Sequence, residues 1–242
     1  MTFTRNYIYT PVSPSTNGEL KEKIYSSGCP VFDVLSADSQ TDGRGRLGRT
    51  FFSPSGGVYF SAAYPLDGNE KNIPFLTLLA GLAVSRAINE LTKADVMIKW
   101  PNDVYFNGKK LCGILTELVT AKSGLHAVVG VGINVKTTVF PEELKGKMTS
   151  LAAERLPVPD SDALIKRCVG ILDGLVYEND LLNAEDPRII TELEEKSFLR
   201  GKKVICNERA GICGSINHDG SINILFGDTT EKISSGEVSL SF

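Results

Sequence analysis

Paired cysteines, clustered histidines and long apolar runs are all missing from this sequence, and each absence removes a class of function. The five cysteines, Cys29, Cys112, Cys168, Cys206 and Cys213, are odd in number and contain no C-x-x-C pair, so neither a disulfide framework nor a zinc knuckle is encoded. They read as small buried hydrophobes. His126 and His218 stand far apart without metal-ligand spacing, which gives little support to a histidine triad or metal site. No stretch reaches the roughly 18 consecutive apolar residues of a membrane span. No charged segment leads into an apolar one at the N-terminus, so a cytoplasmic protein without a membrane partner is expected. No G-x-x-x-x-G-K-[ST] phosphate loop occurs, and Gly130-x-Gly132 lies inside an apolar run instead of opening a helix, which rejects a dinucleotide fingerprint. A net charge of -3 over 242 residues argues against non-specific nucleic-acid binding, and the length fits one sizeable globular body or a large domain with a small one.

What is present centres on Gln40-Thr41-Asp42-Gly43-Arg44-Gly45-Arg46-Leu47-Gly48-Arg49-Thr50-Phe51. Three arginines are interleaved with three glycines over seven residues, and neither helical nor strand periodicity runs through them. Glycine lets backbone approach a ligand closely, and guanidinium forks suit carboxylate and phosphate, so this loop points to an anion. Its neighbours suspend it between two strands, Val31 to Ala37 before it and Gly57 to Tyr64 after it.

Upstream, Tyr7-Ile8-Tyr9 reads as a short strand broken by Pro11 to Pro14, and Thr16 with Glu19 reads as a capping box that opens a helix ending near Gly28. Downstream, the spacing of Phe75, Leu78, Leu79, Leu82, Ala83, Ile88 and Leu91 predicts a helix lying on one face of the sheet. Val96 to Lys99 is a strand leading into Trp100-Pro101-Asn102-Asp103, where an amide and a carboxylate follow the only tryptophan. A hairpin turns at Asn107-Gly108 into Lys109 to Val119, and the next strand, Ala127 to Val135, carries Gly130 and Gly132 at alternate positions, leaving one face bare for something to lie against. Helices are expected over Pro141 to Leu144, Asp160 to Leu182 and Ile189 to Leu199, and five short strands from Lys203 to Leu240 predict a small antiparallel barrel. The fold class is therefore α+β, a mixed central sheet flanked by helices over 1–195 and a small barrel over 196–242.

Four motifs occur in one order: Ser15-Thr16-Asn17, Gln40 with Gly43 to Arg49, Lys99-Trp100-Pro101-Asn102-Asp103, and Gly108-Lys109-Lys110-Leu111-Cys112-Gly113-Ile114. In order and spacing the chain resembles the biotin protein ligases, in motifs from about Pro11 to Asn134 and in outline to the C-terminus, where the barrel is similar to that family's SH3-like domain. Phe51 stands where tryptophan is frequent in the family, and Leu47 where some members have arginine. The chain reaches these motifs within its first residues, which leads to the expectation of a form without the DNA-binding domain that some relatives carry, and hence of no DNA binding.

The resemblance implies a class II synthetase-like catalytic domain. It also implies an enzyme that joins biotin to ATP as biotinyl-5′-AMP and passes biotin to a lysine of a biotin carboxyl carrier protein or domain, with Mg²⁺ as cofactor. Lys110, Arg46 and Asp103 would be catalytic. Biotin would contact Ser15, Thr16, Asn17, Gln40, Arg44, Gly45, Arg46, Lys110, Gly113 and Gly132. The nucleotide would contact Arg46, Arg49, Phe51 stacked on adenine, Asn102, Asp103 and Asn134, with Asp103 toward Mg²⁺. Such enzymes occur as monomers and as homodimers. Two other readings compete: a lipoate-type protein ligase, against which the Gly-Arg-Gly-Arg motif and the C-terminal barrel speak, and a non-catalytic biotin or nucleotide sensor, against which the intact Lys110, Arg46 and Asp103 speak.

Overall fold

A computed structural model describes residues 4–27, 33–66, 73–178 and 186–241. The expected helix stop at Gly28, Cys29, the first residues of the strand from Val31 and the helix end toward Leu182 lie outside the described residues. Seven strands form one sheet, β1 (Asn6–Ser13), β2 (Asp33–Gln40), β3 (Gly57–Pro65), β4 (Met97–Lys99), β5 (Asp103–Phe106), β6 (Lys109–Ala121) and β7 (Gly124–Asn134), in the order β1-β2-β3-β7-β6-β5-β4. Only β1 and β2 run parallel, joined over the sheet by helix α1 (Thr16–Ser27); every other neighbour is antiparallel. The sheet is mixed, as the sequence leads one to expect.

Strand alternation divides the core. Leu35, Ala63 and Val128 point to the face where Leu20 and Ile24 of α1 pack, and Val34, Ala62 and Val129 point to the other. On that second face lie α2 (Ile73–Thr92) and α3 (Ser161–Asp173). α2 is long and apolar enough to cross a bilayer, but most of it is buried in this fold. Its buried positions run almost all round the helix because sheet and α3 press on it from two sides, while Leu91, placed in the apolar stripe by its spacing, is exposed.

Four local expectations are corrected. β1 runs on through Pro11 to Ser13, because it is an edge strand and proline's missing donor costs it no ladder bond on the open side. The cap of α1 is Ser15, whose Oγ accepts from the Gly18 backbone N–H at 3.3 Å, so the Thr16 hydroxyl is not engaged in capping. The helix after Ser161 gives way at Gly174–Glu178 to a wider turn, and α4 (Pro187–Glu195) ends before Leu199.

The C-terminal strands β8 (Lys203–Cys206), β9 (Arg209–Ile216), β10 (Ile222–Phe226), β11 (Thr229–Ile233) and β12 (Val238–Leu240) make an antiparallel sheet ordered β11-β10-β9-β8-β12. Val204, Cys206, Cys213, Ile224 and Val238 on its inner side join the same apolar core as α2 and α3. Two further contacts tie it down. Ser197 runs beside Ile98 of β4, with the Ile98 N–H donating to Lys196 O and the Phe198 N–H to Ile98 O. Trp100 Nε1 donates to Gly220 O at 2.8 Å. The tryptophan beside the Asn-Asp pair is thus the fastener between the two sheets.

Candidate active site

The face of the large sheet that carries α1 is only partly covered by it, and the uncovered part floors a cavity of about 280 Å³. The floor is a single cross-strand row. Tyr59 of β3 pairs with Gly132 of β7, Gly132 with Gly113 of β6, Gly113 with Asp103 of β5, and Asp103 with Lys99 of β4. A β-bulge explains how Lys110 reaches it. The register shifts between Val104 and Tyr105, which removes one residue's alternation and turns Lys110 to the Asp103 side while Leu111 and Cys112 stay in the core. Lys110 Nζ lies 2.6 Å from Asp103 Oδ1.

The two facing glycines make a trough, and Phe51 lies in it. A Cβ at Gly132 would sit 2.4 Å from the Phe51 ring and one at Gly113 2.7 Å from it. The bare strand face expected to admit a ligand is therefore filled here by a side chain, and the Phe51 ring meets Tyr59 edge-on with centroids 6.5 Å apart. Gly130 serves Asn17 in the same way, since a Cβ there would lie 2.2 Å from Asn17 Oδ1.

At the α1 end the polar groups are buried and bonded to one another. Gln40 Oε1 accepts from the Thr16 N–H at 3.0 Å and the Thr16 hydroxyl at 3.2 Å, while Gln40 Nε2 donates to Ser53 Oγ at 3.0 Å. Ser61 Oγ lies 2.8 Å from Thr16 Oγ1 and 2.6 Å from Asn17 Oδ1, and Asn17 Nδ2 donates to Leu115 O and Glu117 Oε2. Ser61 is a member of this network that the motifs did not reveal; only its pairing opposite Gly130 brings it there.

The arginine loop forms the opposite wall. It closes on itself as a small hairpin, Arg44 bridging Thr50 and the Gly45 N–H donating to Arg49 O at 2.7 Å, around a tight turn at Arg46–Gly48. Leu47 takes a φ of 57° there and is 77% exposed, an unusual conformation for a branched side chain and one that the hairpin turn enforces. Arg44 pairs with Asp42. Arg46 donates to Asn102 Oδ1 at 3.4 Å and Gly236 O at 3.3 Å, and Arg49 pairs with Glu237. Glu237, Val238 and Ser239 also line the cavity, so the small sheet contributes to the site.

Of the residues singled out in the sequence, Ser15, Thr16, Asn17, Gln40, Arg44, Gly45, Arg46, Arg49, Phe51, Asn102, Asp103, Lys110, Gly113 and Gly132 all line this one cavity. Asn134 does not. It is fully buried at the end of β7, on the strand face of Gly130 and Gly132, and its Nδ2 donates to Thr149 O at 3.0 Å. Neither histidine lines the cavity, and burial pushes the Cys112 thiol well above its usual range. Lys99 does line it, although the motif alone gave it no role. Burial pulls its ammonium below the usual lysine value, an effect opposed by Asp103 and reinforced by Lys110.

Residues 9–134 match the model of the biotin/lipoate A/B protein ligase family. The chain belongs to this family. Across 234 residues, 93% of the chain and 85% of the relative, it is 30% identical to the biotin–[acetyl-CoA-carboxylase] ligase of Mycobacterium tuberculosis. It is 40% identical over 152 residues to the bifunctional ligase/repressor BirA of Bacillus subtilis, an alignment that covers 61% of this chain and 46% of that relative. Among solved structures, the biotin protein ligase of Aquifex aeolicus in complex with biotin and ATP superposes with a TM-score of 0.83 at 32% identity, covering 98% of this chain and 99% of the other. The cavity spans both parts of the chain, taking most of its lining from the family-matched stretch 9–134 and its outer edge from Glu237 to Ser239.

Proposed function

We propose that the chain is an ATP-dependent biotin–protein ligase that forms biotinyl-5′-AMP and transfers biotin to a lysine ε-amine of a biotin carboxyl carrier domain. The observation that carries this reading is the Lys110–Asp103 pair at the floor of a cavity with a buried, neutral polar network at one end and an arginine wall at the other. A neutral, bicyclic urea suits the first end: Thr16, Asn17 and Gln40 offer donors and acceptors held in place, with Ser61 behind them. Its carboxylate then lies toward Lys110 and Arg46, and the nucleotide phosphates beyond it toward Arg46, Arg49, Asn102 and Asp103. Relatives named as biotin ligases, one of them solved with biotin and ATP, support the same assignment.

In the first step a biotin carboxylate oxygen attacks the α-phosphorus, and pyrophosphate leaves with the bonding pair. No enzyme nucleophile is needed; Lys110 and Arg46 hold two anions together and meet the charge that develops between them. In the second step the acceptor amine attacks the activated carbonyl and AMP leaves. The arginine loop, standing over the cavity, keeps the mixed anhydride from water.

A divalent cation fits this donor set in one way. No cluster of three metal-ligating side chains occurs among the described residues. Mg²⁺, however, keeps several waters and takes one or two carboxylates together with substrate phosphates. Asp103 is the carboxylate on the cavity floor, with the Asn102 carbonyl next to it in the chain, and a cation bound there would neutralise phosphate charge. We assign residues 1–195 to the catalytic domain and 196–242 to the SH3-like domain, and a cytoplasmic setting suits an enzyme that consumes ATP and modifies a carboxylase. Phe51 is assigned to the ring-binding trough over Gly113 and Gly132 rather than to adenine alone.

Pyrophosphate release from ATP on adding biotin, with lipoate in parallel, tests the reading. Release with biotin supports it, release with lipoate alone moves the chain to the sister activity, and biotin binding without release makes it a sensor.

A further inference from the structure

One carboxylate bonded to the neutral end of the cavity stands outside its lining. Along β6, Gly113, Leu115 and Glu117 share a face, and Glu117 pairs with Val128 one step beyond the Leu115–Gly130 pair, under α1. Two residues of that helix reach it. Asn17 and Lys21 are four positions apart and so face the same way; Glu117 Oε2 accepts from Asn17 Nδ2 at 2.8 Å, and Glu117 Oε1 lies 2.5 Å from Lys21 Nζ. Both members of the ion pair are about three-quarters buried, with side chains 25% and 26% exposed, so the contact is better shielded from water than the arginine pairs of the loop.

This clamp decides which way the Asn17 amide faces. Its Nδ2 meets Leu115 O at 3.1 Å and the Glu117 carboxylate, groups that only accept. Turned over, the amide would set its own oxygen against theirs with no proton between them. Held as it is, Oδ1 faces Ser61 Oγ at 2.6 Å, and the Ser61 hydroxyl has to donate to it. Three oxygen–oxygen contacts then follow in line, Asn17 Oδ1 to Ser61 Oγ, Ser61 Oγ to Thr16 Oγ1 at 2.8 Å and Thr16 Oγ1 to Gln40 Oε1 at 3.2 Å, but Ser61 and Thr16 bring only two protons to them. The neutral end is short of donors. A ring that carries N–H groups, as a cyclic urea does, supplies what is lacking, whereas an inverted Asn17 amide would have filled the deficit from within the protein.

We propose that Glu117, held by Lys21, is a positioning residue for biotin: it keeps Asn17 Oδ1 turned into the network and so sets this end to receive a ligand with N–H donors. This rests on the ligase reading and deepens it. Glu117 does not line the cavity, and it acts only through Asn17.

The test uses the whole chain with Glu117→Met and Glu117→Gln, alone and combined with Asn17→Ala, titrated with biotin in a calorimeter. Glu117→Met should weaken biotin binding by roughly fivefold to fiftyfold, the size of one or two misplaced hydrogen bonds, and raise the KM for biotin to match. The KM for ATP and kcat at saturating biotin should hold, and Glu117→Gln, whose amide oxygen still accepts from Asn17 Nδ2, should keep most of the affinity. In the Asn17→Ala background, Glu117→Met should weaken binding by no more than about a further twofold. Unchanged biotin affinity in Glu117→Met overturns the proposal. Additive losses in the pair, or a parallel fall in kcat, also overturn it, since either would make Glu117 a mere fastener of α1 to β6. If the unaltered chain binds no biotin, the ligase reading fails separately; the same double-mutant cycle measured by urea unfolding then decides whether Glu117 acts through Asn17, and additivity there overturns the proposal as well.

Discussion

The two ends of the cavity are built on opposite physical terms. At the α1 end, Ser15, Thr16, Asn17 and Ser61 are each at most 5% exposed; Thr16, Asn17 and Ser61 are fixed by hydrogen bonds to one another and to Gln40, and Ser15 by the Gly18 N–H. At the other end, Arg44 and Arg49 reach across an exposed hairpin to exposed carboxylates, contacts of a kind that add little to stability. The first end is preorganised, and its cost of ordering is met when the chain folds; the second is held only by its own hairpin bonds and by surface ion pairs. A ligase needs both. Recognition of a neutral ring gains from fixed partners, whereas a loop that must release a product and admit a bulky acceptor gains from weak internal ties.

The floor between the two ends gives the largest expected effect. Lys110→Ala should slow biotinyl-AMP formation by on the order of a hundredfold to a thousandfold, because the charge it meets develops at the reacting centre. Biotin affinity measured by calorimetry should fall far less; an equal fall in both would place Lys110 in ground-state binding alone. On the loop side, Arg46→Gly should raise the escape of biotinyl-AMP from the enzyme by roughly tenfold. A filter-binding off-rate that does not move would mean that the loop retains nothing.

On the rigid side, Ser61→Ala strips one partner from both Thr16 and Asn17 and leaves the buried Asn17 Oδ1 short of a donor. Unfolding by urea should show a loss of about 1–3 kcal/mol. A change of only about a few tenths of a kcal/mol would show that this end is not held by the network. The smallest effect concerns pH. The Arg49 guanidinium holds the Glu237 carboxyl below its usual range, so their contact is present above the ordinary carboxylate pKa and lost as pH falls through the lowered value. Cleavage within residues 43–50 by an acid-tolerant protease should quicken in that range and slow again when biotin is added. A cleavage rate indifferent to pH would detach the loop's order from Glu237.

Much of this could be read before any coordinates. The hairpin at Asn107-Gly108, where Asn107 takes a φ of 48° and Gly108 one of 75°, follows from local turn chemistry, and so does the loop between β2 and β3. Fourteen of the residues assigned from motifs line one cavity because short sequence motifs set the chemistry of single strands and turns. The failures share a cause. Ser61 went unnoticed because the direction of a strand residue depends on a register between distant segments, and Thr16 was read as a cap because Ser15, one residue earlier, competes for the same helix end.

By itself, then, the sequence determined the residue types, the turns, the alternation that buries one face of each strand and the glycines that permit close approach, since these depend on neighbours within a few positions. Tertiary structure alone decided that Tyr59, Gly132, Gly113, Asp103 and Lys99 fall in one row, that a bulge turns Lys110 onto it, and that Trp100 brings the small sheet to the cavity's edge. Those outcomes rest on pairings between segments up to 120 residues apart, whose register is chosen by the burial of the whole core and not by any local preference.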